Sequence, residues 1–223
     1  MAAVMVTIYP MTPLITFRQV SYRHHFDKLS FEVETGSRTL IVTARIDENT
    51  DLFQMISGLL PPSNGEIQIN GQPLTEFTQP QLARFRYSTG IVPTNGGLIS
   101  NLKLWENITL PLLYAQGNIS LEQKEEAYNY LKELNYSGNI MALPAHLTTM
   151  EKRIAAFIRG ALKKATLMIY SNCFDSSSLA ARSSFIKAVN DYHQAEPGRT
   201  ALFLSTSGDI ADELHVDRII HTH

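Results

Sequence analysis

Three apolar runs, Leu40-Ile41-Val42, Leu167-Met168-Ile169-Tyr170 and Ala201-Leu202-Phe203-Leu204, have the length and continuity of buried strands. Between the last two, from Leu179 to Tyr192, Phe185, Ile186 and Val189 recur at helical spacing. A helix linking two such strands reads as a right-handed βαβ unit. Two further helices are marked by their starts. Ser120 with Gln123 forms a capping box ahead of Ala127, Leu131 and Leu134. Thr148 or Thr149 caps a helix carrying Ile154, Phe157, Ile158 and Ala161. Nearer the front, Ile67-Gln68-Ile69 before Asn70-Gly71 predicts a short strand and a turn. The pattern is a β-rich front, a helical middle and an alternating α/β back.

The run at Leu40 opens onto the segment richest in candidate chemistry. Thr43-Ala44-Arg45-Ile46-Asp47-Glu48-Asn49-Thr50-Asp51 joins that strand to an amphipathic segment, Leu52-Phe53-Gln54-Met55-Ile56. Strand, loop and helix in that order are the setting of a phosphate-binding loop, G-x-x-x-x-G-K-[ST]. On that pattern Thr43 and Glu48 stand at the two glycines and Asn49 at the lysine; only Thr50, at the magnesium-coordinating hydroxyl, fits. Glycines let successive N–H groups converge on an anion, and the side chains of Ile46 and Glu48 block that approach. Asp47, Glu48 and Asp51 put negative charge at a helix start that otherwise attracts phosphate, and Arg45 is the only cation nearby.

The remaining motifs give this loop a context. Ile15-Thr16-Phe17-Arg18-Gln19-Val20-Ser21-Tyr22, then Leu29-Ser30-Phe31-Glu32-Val33 with Gly36, look like two opening strands. Gly58-Leu59-Leu60-Pro61-Pro62-Ser63-Asn64-Gly65-Glu66-Ile67 follows the loop, and Trp105-Glu106-Asn107-Ile108-Thr109-Leu110-Pro111-Leu112 comes later. In this order and spacing, from about residue 14 onward, the chain resembles the ATP-binding cassette family, the nucleotide-binding subunits of ABC transporters. The Gly-Leu-Ile run at Gly97-Leu98-Ile99 and the Leu-Pro-Leu ending at Leu110-Pro111-Leu112 are most similar to cassettes of MCE-type lipid transporters. The resemblance implies an α/β fold with a RecA-like core, an N-terminal antiparallel β-subdomain and a helical subdomain over about 97–163. It gives a single cassette-like domain over 14–223 after an extension over 1–13.

The other positions that the resemblance assigns to nucleotide chemistry carry similar replacements. The family's glutamine falls at Thr94, and its Leu-Ser-Gly-Gly-Gln signature at Leu147-Thr148-Thr149-Met150-Glu151. Ser171 and Asn172 stand for the magnesium aspartate and the catalytic glutamate. The aspartate of the next loop maps to Ser178, near Asp175, and the switch histidine to Ser207. Hydrolysis in this family needs a phosphate cradle, a metal carboxylate and a glutamate that activates water. Asn172 cannot act as a base and Ser171 is a poor metal ligand. The family works as a head-to-tail dimer in which each site joins one chain's loop to the other's signature, and both halves are altered here.

Composition agrees with one globular cassette. Apolar content of 44% with 18% charged residues leaves room for an apolar interface, and the net charge of −2 argues against nucleic acid as a partner. Cys173 is the one cysteine, so no internal disulfide forms, which suggests a reducing compartment; it reads as a small buried apolar group. The apolar N-terminus lacks a basic region and is broken by Pro10 and Pro13, so it reads as an extension rather than a signal peptide. His24-His25 and the His221–His223 pair read as exposed loop or terminal histidines, not metal ligands, and Asp47, Glu48 and Asp51 as a solvated acidic helix start. Lys163-Lys164 suits a helix C-terminus, and Trp105 a core or interface position.

The stretch from Gly96 through Leu98, Ile99 and Leu104 to Trp105 keeps the family look. In the family it lines the groove that receives a coupling helix from the membrane subunit. The expectation is a pseudo-ATPase cassette with no cofactor, peripheral on the cytoplasmic face of the membrane. Its partners are a membrane-spanning permease subunit and either an intact cassette or a second copy. The alternatives are an active ABC ATPase using ATP and magnesium through divergent motifs, and a free-standing regulatory scaffold.

Overall fold

The computed structural model describes residues 13–174 and 179–222. The front of the chain gives β1 (Pro13–Tyr22), β2 (Phe26–Glu34), β3 (Arg38–Val42), α1 (Ile46–Ile56), β4 (Asn64–Ile69) and β5 (Gln72–Pro73). After them come α2 (Gln79–Ser88) and β6 (Thr89–Val92), then α3 (Leu104–Gln116), α4 (Leu121–Glu133) and α5 (Thr149–Leu162). The back alternates β7 (Leu167–Ser171), α6 (Leu179–Gln194), β8 (Thr200–Ser205) and β9 (Arg218–His221). An antiparallel sheet in the order β2-β1-β4-β5 and a parallel sheet in the order β6-β7-β8-β3-β9 result.

The continuous apolar strands are explained by what lies on each side of the parallel sheet. Successive strand residues point to opposite faces. Ile41, Leu167, Ile169, Leu202 and Leu204 pack with Leu52, Met55 and Ile56 of α1 and with Ile15, Phe17 and Ile67 of the antiparallel sheet. Their neighbours Leu40, Val42, Met168, Tyr170, Ala201 and Phe203 pack on the opposite face against Phe157 of α5, Phe185 and Val189 of α6, and through them α3 and α4. A sheet covered on both faces has no wet side, so polar alternation is absent where it would mark a half-exposed strand. The fold class is the expected α/β cassette architecture.

Glycines allow α5 to reach the sheet. A Cβ on Gly90 of β6 would lie 2.1 Å from the Met168 sulfur and 3.2 Å from the Cα of Gly160 on α5. Beyond β6 the chain turns at Gly96, φ +78°, where a Cβ would fall 2.4 Å from that of Lys152 in the first turn of α5. These close approaches set the ends of β6 and β7 beside α5. Lys163, just past the helix, donates from Nζ to the carbonyls of Thr89 (2.6 Å) and Arg86 (3.2 Å), tying its far end to the start of β6. Burial, then the neighbouring Arg159 charge, lowers that ammonium to about 8.

Candidate functional site

Between β3 and α1 only Thr43, Ala44 and Arg45 remain as loop. Helix begins at Ile46, so residues 46–51 of the nine-residue run are helical. Without glycine these residues take ordinary helical dihedrals, and their N–H groups align along the axis rather than converging on one point. Arg45 occupies the N-cap and its side chain does not cap the helix. Glu48 turns back instead: its Oε2 accepts the Ala44 N–H at 3.0 Å, and the side chain is buried. Asn49 is fully buried, its Oδ1 bonded to the Thr43 hydroxyl at 2.9 Å. Thr50, the one residue matching the phosphate-loop pattern, donates to the carbonyl of Ile46 in its own helix at 3.3 Å.

Two expectations for this region need correction. Glu48 and Asp51 are buried at 7% and 9% exposure, so only Asp47 fits a solvated acidic helix start. The reason is local bonding: Glu48 serves the loop backbone, and Asp51 Oδ2 lies 2.6 Å from Nδ1 of His25. His25 is therefore not an exposed loop histidine, although His24 is exposed; its ring side chain is 5% accessible and pins the β1–β2 turn to α1. Arg45 pairs with Asp47, and that hydrogen bond holds the carboxyl below its ordinary range. His221 is exposed on β9, whereas His223 lies outside the described residues. Among the described residues no group of three His, Cys, Asp or Glu is placed to hold a metal ion.

The carboxyl ends of the parallel strands converge on Asn49, where ligands of open α/β sheets bind. Asn49 Nδ2 donates to Oδ1 of Asn172, just past β7, at 3.0 Å. Asn172 has φ +46° and is 3% exposed, and its N–H donates to Leu204 of β8 at 2.9 Å. Thr94, following β6, donates from its hydroxyl to the carbonyl of Ser171 at 3.1 Å. Ser171 is buried, and Ser207 is half-buried with its Oγ accepting the Asp209 N–H at 3.1 Å. Asn49, Asn172, Thr94 and Ser171 are thus brought into one neighbourhood; Ser178 and Asp175 lie outside the described residues.

Arg153, to which the sequence pattern assigns no role, organises this neighbourhood. From α5, at 2% exposure, it donates to the carbonyls of Thr94 (2.8 Å), Cys173 (2.9 Å) and Asn172 (3.3 Å). Its position in the apolar-spaced stretch Arg153–Leu162, facing inward with Ile154 and Phe157, was the available signal. Four residues earlier α5 starts at the signature-like run. Thr148 is its N-cap, and Glu151 Oε2 accepts from both its N–H (2.7 Å) and its hydroxyl (2.8 Å). Thr149 is exposed at the helix start, and Met150 packs partly against the core.

The stretch expected to dock a partner divides by burial. Leu104 is fully buried, so it supports the surface from beneath and cannot line it, because the start of α3 packs inward. Leu98 is half-buried against the same core, while Ile99 is 43% exposed. Asn107, fully buried, fixes that loop: it accepts from the Ile99 N–H (2.7 Å) and donates to Ile99, Leu102 and Lys103 carbonyls. Trp105 is half-buried and stacks on Tyr128 of α4 with ring centroids 5.1 Å apart. Tyr128, at 51% exposure, and Met141, at 50%, widen the apolar surface beside Trp105, whose N–H donates to Ile140. Tyr128 lies two turns after the exposed Leu121, a spacing that could have shown it on an outward face of α4.

The fold and sequence have known counterparts. The sequence model of the family described as ABC transporter matches residues 26–174, well over half the chain. A lipoprotein-releasing system ATP-binding protein, LolD of Buchnera aphidicola, is 28% identical over 63% of this chain and 62% of its own length. A macrolide export ATP-binding/permease protein, MacB of Hyphomonas neptunium, is 23% identical over 83% of this chain and 28% of its own length. The chain thus spans less than two-thirds of the length of both relatives. The dimeric structure of a bacterial ABC transporter cassette, MJ0796, superposes with a TM-score of 0.80 at 17% identity, covering 93% of this chain and 94% of that one. Among the described residues no helix is long and apolar enough to cross a membrane. By its family match, supported by the layered α/β fold, the chain belongs to the ABC transporter family.

Proposed function

We propose that the chain is a cassette subunit that has lost nucleotide chemistry and works by docking on the cytoplasmic face of a membrane transport complex. The observation that carries this reading is the helical start of α1 at Ile46, with Glu48 and Asn49 turned into the space that a phosphate cradle would need. These residues do not fit a magnesium nucleotide. The backbone N–H of Ala44 is taken by a carboxylate, and the position of the phosphate-binding lysine carries a neutral, fully buried amide. Neither Ser171 nor Asn172 supplies a carboxylate for a metal or a base for water. Glu151 likewise occupies the start of α5, so Thr148, Thr149 and Met150 offer a second copy or an intact cassette little anion affinity.

The surface around Ile99, Trp105 and Tyr128 supports the docking half of the reading. It is apolar and exposed, and a buried asparagine holds its loop to α3. A permease subunit's helix is the partner that suits it, with a second cassette, identical or intact, completing the complex. A lipid-linked cargo is the narrower reading favoured by the MCE-like motifs and by the lipoprotein-releasing relative. The test is co-purification with an ABC permease subunit produced together with this chain. Ile99→Glu puts a charge on an exposed position and leaves the melting temperature at the wild-type value, while binding to the membrane subunit falls by about tenfold or more, as for loss of an interface anchor. Wild-type recovery of the partner by the Ile99→Glu protein contradicts the docking reading.

A further inference from the structure

We propose that the Asn49–Asn172 side-chain bridge, continued through Arg153, is a built-in clamp that holds α5 and the helices packed on it to the strand ends without a ligand. It deepens the docking role and rests on that reading in one respect: a docking surface carried on α3 and α4 needs a fixed orientation. The bonds form one connected path. Thr43 at the end of β3 bonds Asn49 of α1 (2.9 Å), and Asn49 bonds Asn172 beyond β7 (3.0 Å). The Asn172 carbonyl accepts from Arg153 of α5 (3.3 Å), which also holds Thr94 beyond β6 (2.8 Å). Thr94 closes the path by donating to Ser171 at 3.1 Å.

Three features favour a clamp over incidental polar packing. Asn49, Asn172 and Arg153 are exposed by only 0%, 3% and 2%, so their bonds are shielded from competing water. Turning both amides over reverses donor and acceptor along the path and keeps the Asn49–Asn172 contact, so the link survives either orientation. Asn172 also holds a left-handed backbone at φ +46°, which asparagine tolerates better than most residues. Its carbonyl and its side chain thereby serve α5 and α1 from a single residue. Through α5 the link reaches the docking helices, since Ile154, Phe157 and Ile158 share a core with Leu104, Ile108 and Leu131.

Hydrogen exchange of the full-length protein, read peptide by peptide, tests the clamp. Asn172→Gly removes the bridging amide yet suits the left-handed backbone, so it preserves folding; Asn49→Ala breaks the same bridge from the other side. In both variants, amides in the first turn of α1 and over 170–174 exchange about tenfold faster, as expected for local opening. Arg153→Met, which removes the bonds to the Thr94, Asn172 and Cys173 carbonyls, does the same over 92–97 and the first half of α5. In all three, β1 and β2 change by less than about twofold. Unchanged exchange over these segments, or equal acceleration everywhere, overturns the clamp. Wild-type exchange recorded with magnesium and ATP separates the two claims. Unchanged exchange supports the empty-site reading, and new protection confined to α1 overturns that reading while the variants still decide the clamp.

Discussion

Asn49 sits where a phosphate-binding lysine belongs, and its surroundings have been rebuilt around the smaller neutral side chain. Its side chain bonds the Thr43 hydroxyl and the Asn172 amide, neither of which neutralises an ammonium. Asn49→Lys therefore does not restore turnover. It puts an unpaired charge at a fully buried position, which costs about 2–4 kcal/mol even after the lysine has shifted its pKa. For a chain of this length that is a melting temperature lower by about 5–15 °C in calorimetry. Phosphate release stays at background, because the cradle, the metal carboxylate and the base act as a unit. A stable Asn49→Lys protein with raised phosphate release would refute the account of this residue. Thr43 and Asn49 were legible through the phosphate-loop pattern, and Thr94, Ser171 and Asn172 through the family resemblance, which places each at the end of a strand. The inward turn of Glu48 was not, since a carboxylate in a first helical turn is equally at home in water. The His25–Asp51 contact joins residues on different elements, and local patterning carries no trace of it.

Helix α4 announced itself through the capping box at Ser120, α5 through a cap at Thr148 or Thr149 and its apolar spacing, and β3, β7 and β8 through unbroken apolar runs. Helix α2 stayed hidden because it buries no residue and so has no apolar stripe; its own capping box at Thr78 and Gln81 was the usable signal. Strand β9 is four residues on a sheet edge, too short and too exposed for a pattern. One link between elements has a pH signature. His193 of α6 meets the Tyr170 hydroxyl of β7 at 3.1 Å in the core. Burial, then the charge of Arg38, lowers the imidazole from an ordinary 6.5 to about 3. Below pH 6.5 the unfolded chain takes up a proton that the folded one refuses, so this pair's contribution to stability falls as pH drops toward 3. The loss reaches about 2 kcal/mol by pH 5. His193→Gln, which cannot titrate, flattens urea-unfolding stability over that window, and an unchanged slope contradicts the assignment.

At the scale of the whole molecule the cassette architecture is intact, and on the proposed reading the site that normally gives it a nucleotide is closed from within. Apolar layers cover both faces of the parallel sheet and Gly90 and Gly160 seat α5 on it. Most polar groups at the strand ends bond one another, although the buried Nδ2 of Asn172 is left without a partner. A fold can keep its shape after its chemistry is gone because shape rests on buried apolar area and chemistry on a few placed groups. On the proposed reading the docking surface and the scaffold beneath it are what remain to be used. Isothermal titration of the purified chain with ATP and magnesium at millimolar nucleotide tests this most directly. The account predicts no binding heat above dilution, with or without magnesium. Saturable, magnesium-dependent binding at micromolar concentration would contradict it.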